Sequence, residues 1–158
     1  RCYHKTHRKY YKTYGDCEVC KEWLNYQNFA EWNENNFYQI PNENMELDKD
    51  ILCKGNKTYC PEYCVYVPQH INLLFVNRRN YRGEYPIGVS KAHNTFTASL
   101  GADGKVINLG SYNTSEEAFN AFKNAKEKHI KEVADRYRQY IPEKLYKALY
   151  AWKVEITD

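Results

Sequence analysis

The chain has 158 residues, enough for one ordinary domain or two small ones. Charged residues make up 27% and the hydrophobic class 42%, which excludes a disordered chain. No run approaches the roughly 18 apolar residues of a membrane-spanning helix, so no membrane partner is expected.

The net charge of +3 gains meaning from its distribution. Residues 1–12 (RCYHKTHRKYYK) carry five Lys/Arg, two His and no acid, and residues 76–82 (VNRRNYR) carry three Arg and no acid. The stretch 15–50 is mostly acidic. Basic clusters interleaved with Tyr and Asn suit a phosphate-binding surface, because Lys and Arg release condensed counterions. A solvated tail and a basic linker are the plainer reading. The 16 Tyr fit small domains with wet surfaces, since Tyr builds a core and keeps a polar handle. The chain opens on Arg1 rather than Met, so a preceding N-terminal piece is expected. Residues 1–14 lack the apolar stretch of a signal peptide.

Five zones follow in order: a basic arm (1–14), a Cys- and Trp-containing unit (15–75), a basic linker (76–84), a second unit (85–135) and a helical C-terminal extension (136–158). In the first unit, 20–35 places Trp23, Leu24, Phe29, Ala30 and Trp32 mostly on one stripe and predicts a short helix. Residues 46–52 read as a strand and Gly55-Asn56 as a turn. Residues 64–67 read as a short buried strand stopped by Pro68, and 69–75 as a helix with Ile71, Leu74 and Phe75 on one side.

The second unit is clearer. Strands are expected over 87–90, 95–100 and 106–109, with Phe96, Ala98 and Leu100 alternating against Thr95, Thr97 and Ser99. Asp103-Gly104 marks a hairpin turn. Thr114 and Glu117 form a capping box that opens a helix, with Ala118, Phe119, Ala121, Phe122 and Ala125 on its apolar face. The order β-β-β-α leaves one sheet face bare, small and polar. Such a ribbon fits the DNA major groove; a merely solvated face is the alternative. Thr97, Ser99 and Asn108 fall on that face by alternation. Ser90, Lys91, His93 and Lys105, with Arg78, Arg79 and Arg82 of the linker, complete the candidate DNA-contacting set.

Gly88-Val89, Phe96-x-Ala98-x-Leu100, Leu109-Gly110-Ser111-Tyr112-Asn113-Thr114-Ser115-Glu116-Glu117-Ala118 and Ala121-Phe122 together resemble the plant ethylene-response (Apetala-2 type) DNA-binding domain. The resemblance implies a three-stranded antiparallel sheet packed on one helix. The family reads bases with Arg and Trp on its strands, where this chain has Ser90, Ser99, Val106 and Asn108. The plant target sequence is therefore not expected here.

Residues 17–32 (CEVCKEWLNYQNFAEW), 45–72 (MELDKDILCKGNKTYCPEYCVYVPQHIN) and the terminal VEITD make the whole chain similar to bacteriophage proteins that join such a domain to an HNH-type nuclease-like unit. That resemblance implies a homing endonuclease acting on double-stranded DNA in the cytoplasm of the infected bacterial host. An HNH site sets strand, loop and helix around one divalent cation, in the string Leu-Asp-His, a loop Asn, and an Asn or His on the helix. This chain has Leu47-Asp48-Lys49-Asp50, then Asn56, then His70 and Asn72. By resemblance, Asp48 and Asn72 hold Mg²⁺ or Mn²⁺, Asp50 or His70 serves the water, Asn56 fixes the loop and Lys49 neutralises phosphate. Lys49 stands where His is expected, and beside Asp48 and Asp50 it should stay charged. A surface ion-pair cluster on a degenerate site is the alternative.

Six Cys stand at 2, 17, 20, 53, 60 and 64. Without a secretory signal, a disulfide framework is the weaker reading. Some HNH units carry four Cys flanking the active strand, and Cys17, Cys20, Cys60 and Cys64 bracket 48–56 in that way; tetrahedral Zn²⁺ suits two such pairs. Buried thiols packing as small hydrophobes is the alternative. Cys2 and Cys53 are expected to be free. The expected architecture is thus α+β, an HNH-like ββα unit with or without a zinc staple followed by β-β-β-α. Three functions remain open: a phage endonuclease, a DNA-binding regulator with a lost active site, and a phage factor that blocks a host defence protein by contact. The tail, with Tyr137, Tyr140, Ile141, Leu145, Leu149 and Trp152 at helical spacing, is expected to pack on the first unit or on a protein partner, a homodimer included.

Overall fold

The computed structural model describes residues 15–76 and 84–158. The basic arm, Cys2, Arg78, Arg79 and Arg82 lie outside the described residues. The fold is mixed α+β, with several small sheets. The chain divides into two compact units. One runs to Phe75 and takes in Tyr140–Ala148; the other is Val76–Gln139 with Leu149–Asp158. Within 136–158, Tyr140–Ala148 belongs to the first unit and the flanking residues to the second.

In the first unit the order is β1 (Glu18–Val19), a 3-10 turn (Glu22–Leu24), α1 (Tyr26–Asn36), β2 (Met45–Asp48), β3 (Thr58–Tyr59), β4 (Val65–Pro68) and α2 (Gln69–Leu73). The single helix expected over 20–35 is split. Asn25 is extended and its side chain accepts the Gln27 N–H at 3.0 Å, so α1 starts afresh there. Leu24, assigned to the apolar stripe, is 63% exposed, while Trp23 is buried. The strand expected over 46–52 is shorter. Asp48 Oδ1 accepts the backbone N–H groups of Asp50 (2.8 Å) and Ile51 (2.7 Å), which turns the chain after Asp48. β2 pairs antiparallel with β4, Met45 opposite Pro68 and Asp48 opposite Val65. Val65 and Val67 of β4 and Ile71 of α2 are buried. β1 and β3 form a short parallel bridge, Glu18 opposite Thr58, that no sequence pattern announced.

In the second unit, β5 (Val89–Ala92), β6 (Thr95–Ala102) and β7 (Lys105–Tyr112) form an antiparallel sheet in the order β5-β6-β7. β5 lies two residues later than the expected 87–90 at the same length, and β7 extends the expected 106–109 at both ends. Asp103 (φ 48°) and Gly104 (φ 75°) both adopt positive φ, as the two central residues of a type I′ hairpin require. α3 (Ser115–Tyr137) opens on the Thr114/Glu117 capping box, with both of its hydrogen bonds present. Val89, Ala98, Leu100, Ala118, Phe119, Phe122 and Val154 make the buried core between sheet and helix, with Trp152 packed against it. Gly88 (φ 75°) lies under the Phe122 ring, where any Cβ would overlap the ring. α4 (Glu143–Ala151) follows Pro142.

Candidate functional site

β2 and β4 lead into α2 in the order strand, loop, strand, helix, and the cleft beside them has a volume of about 740 Å³. Its described walls include Trp23, Phe29, Met45, Glu46, Asp48, Tyr59, Tyr66 and Asn72. Two sequence-predicted site residues, Asp48 and Asn72, therefore share one cleft. Lys49, Asp50, Asn56 and His70 are not among its described lining residues.

Asp48 is 8% exposed at the end of β2. Burial first, and the Asp50 carboxylate second, push its carboxyl up to about 6, against the backbone N–H groups of Ile51 and Asp50 that favour the charge. Glu46, two residues earlier on the same strand, faces the same side. Its carboxylate accepts Gln69 Nε2 at 2.9 Å and also Asn72 Nδ2, which ties α2 to β2. Glu46 was missed in the sequence reading, although its alternation with Asp48 was available there.

Lys49 Nζ pairs with Asp50 Oδ2 at 3.1 Å and lies 5.6 Å from the Tyr59 ring centroid. Burial works against its charge, but Asp50 together with Cys17 and Asp48 holds the ammonium above its usual range. Lys49 is a cation at neutral pH, not a base. Asn56 is a loop clamp. Its Nδ2 donates to Lys49 O (2.7 Å) and Thr58 O (2.8 Å), and its Oδ1 accepts Thr58 N–H (3.1 Å). His70 sits on α2, in the last turn of that short helix.

The aromatic wall is a packed set. Trp23 meets Phe29 edge-on at 5.1 Å and Trp32 at 4.7 Å, and Trp32 lies 5.9 Å from Tyr66. Tyr38 donates to Tyr66 O at 2.7 Å, which fixes β4 against the chain after α1. The buried Trp23 indole N–H has no acceptor among the described residues, a costly state for a buried donor.

The β1–β3 bridge brings the Cys17/Cys20 and Cys60/Cys64 segments together, with Cys20 N–H donating to Tyr59 O at 2.9 Å. Cys20, Cys53, Cys60 and Cys64 form no disulfide among the described residues. Burial pushes the Cys64 thiol up to about 12, so it is neutral here. Among the described residues, no three His, Cys, Asp or Glu side chains converge on a common metal position.

In the second unit, register separates the two sheet faces. Leu100 pairs with Ile107 on the helix side, so Gly101–Val106 and Ser99–Asn108 lie on the open side. Thr97 and Ser111 share that side, their hydroxyls 3.4 Å apart, and Ser90 stands opposite Thr97. Lys91 pairs with Phe96 and Lys105 with Ala102, so alternation turns both toward the helix side, though both are exposed on edge strands. They belong to the margin of the open face rather than to the face itself. His93 (φ 52°) occupies the β5–β6 turn.

Comparison with protein-family models, with curated proteins and with solved structures finds no match to the chain.

Proposed function

We propose that the protein binds double-stranded DNA through the open face of β5–β7 and hydrolyses phosphodiesters at the cleft of the first unit, as an HNH-type homing endonuclease of phage DNA would. The observation that carries this reading is Asp48: a buried acid at the end of a strand, raised toward neutral pH, in one cleft with Glu46 and Asn72.

The donors fit Mg²⁺ or Mn²⁺ better than Zn²⁺. Hard cations take oxygen ligands, and Mg²⁺ commonly binds one or two carboxylates, keeping waters and substrate phosphate for its other positions. Asp48, Glu46 and the Asn72 carbonyl oxygen offer that kind of incomplete, all-oxygen set. A bound cation there would polarise the scissile phosphate. Asn56 keeps the loop after β2 in one conformation, so the Asp48 carboxylate stays where the turn sets it. Lys49 stays paired with Asp50 at 3.1 Å and adds positive charge next to Asp48 in sequence, outside the described lining of the cleft itself. On the DNA-binding side, Ser90, Thr97, Ser99 and Asn108 offer hydroxyl and amide groups to base edges.

Lys49 also favours a second reading. A Lys held charged where a His is expected suits a DNA-binding regulator that does not cut. Plasmid nicking with Mg²⁺ or Mn²⁺, run beside a gel shift at graded salt, separates the two. Nicking that Asp48→Ala abolishes without weakening the shift supports the endonuclease. A salt-steep shift with no nicking selects the regulator. No shift at low salt rejects both, and directs the search to a protein partner such as a host defence factor.

A further inference from the structure

The open sheet face contains one row that the fold itself does not explain. Gly101 lies inside β6, opposite Val106 of β7. Its φ is ordinary, and a Cβ added there would meet nothing within 4 Å. Neither a turn nor close packing requires this glycine, and a glycine inside a strand weakens it. Its partner Val106 is 81% exposed, the one large aliphatic side chain among Ser90, Ala92, Thr95, Thr97, Ser99, Asn108 and Ser111 on that face. With no side chain beside it, the Val106 isopropyl group stands alone. A strand glycine often marks a place where a ligand comes close to the backbone.

We propose that the Gly101–Val106 row is a specificity contact for the C5-methyl group that thymine presents in the major groove. This rests on the DNA-binding reading above. Three strands at about 4.8 Å spacing span roughly 10 Å, and the groove is roughly 12 Å wide. Side chains two apart on a strand are about 6.8 Å apart, two base-pair steps along a strand of B-DNA. Val106 and Asn108 therefore address base pairs two apart. Asn108 Oδ1 accepts Gly110 N–H at 2.8 Å, which orients its amide. The open face bears no acid. Lys91 and Lys105 at its margins form no ion pair among the described residues, which suits an anionic partner. The missing Gly101 Cβ lets the duplex approach, and Val106 then removes the thymine methyl from water.

The test compares alternating poly(dA-dT) with poly(dA-dU), which lacks only that methyl, and poly(dG-dC) with its 5-methylcytosine form. Burying one methyl predicts about four-fold tighter binding of each methylated duplex. Val106→Ala should erase that ratio by weakening binding to the methylated duplex alone. Gly101→Ala should leave circular dichroism unchanged and weaken binding to every duplex. Equal wild-type affinity for dT and dU polymers overturns this inference and leaves DNA binding standing. A ratio that survives Val106→Ala also overturns it. Binding to none of the polymers overturns both.

Discussion

The two units hold their candidate functional groups in opposite ways. In the first, short elements are fastened by polar side chains: the Asp48 turn, the Asn56 clamp, and Glu46 gripping Gln69 and Asn72. In the second, long strands and a 23-residue helix bury a continuous apolar core, and the open face takes little part in holding the fold. A cleft built from side-chain hydrogen bonds mixes structure with chemistry, so a variant there changes both. A face set on a regular sheet leaves its residues free to be read by a partner.

That contrast can be broken at its strongest point in the second unit. Gly88→Ala forces a Cβ into the Phe122 ring at a positive φ and should destabilise by about 3 kcal/mol, measured by chemical denaturation. Tolerance of that change would show a core looser than described. In the first unit, Asn56→Ala removes three hydrogen bonds and should cost about 2 kcal/mol in the same measurement.

Asp48 gives a test of the opposite sign. Its folded pKa of about 6 lies above the ordinary 3.8, so the native state binds this proton more tightly than the unfolded chain. The stability it contributes is full below pH 3.8 and is lost as pH rises through 6. Asp48→Asn keeps an oxygen for the two backbone N–H groups and removes the charge. It should therefore stabilise by about 2 kcal/mol near pH 7.5, with the gain vanishing near pH 4. A gain that does not change with pH would contradict the raised carboxyl. Thr114→Ala should cost about 1 kcal/mol through the lost cap of α3. Thr97→Ala, on the open face, should shift stability by less than about 0.5 kcal/mol while weakening duplex binding. A larger stability loss would mean the face is structural after all.

The second unit was legible because its signals are local. Phe96, Ala98 and Leu100 alternate, Asp103-Gly104 sets the hairpin, and Thr114 with Glu117 caps the helix. The first unit was legible only in part. The order of 45–73 followed from Pro68 and the apolar run before it, but the end of β2 did not. Only the Asp48 side chain, turning back on its own backbone, decided that boundary. Asp48 and Asn72 were named from sequence, whereas Glu46 and the aromatic wall emerged from packing.

By itself the sequence determined the β-β-β-α unit, its polar face and the residues that cap and turn it, because those depend on neighbours a few positions apart. Tertiary structure decided the rest. Asp48 shares its cleft with Asn72, a short parallel bridge draws the Cys17/Cys20 and Cys60/Cys64 segments together, and Val106 stands opposite a glycine. Burial, and with it the charge state of a carboxyl, depends on which distant segments pack around it, and no local pattern encodes that.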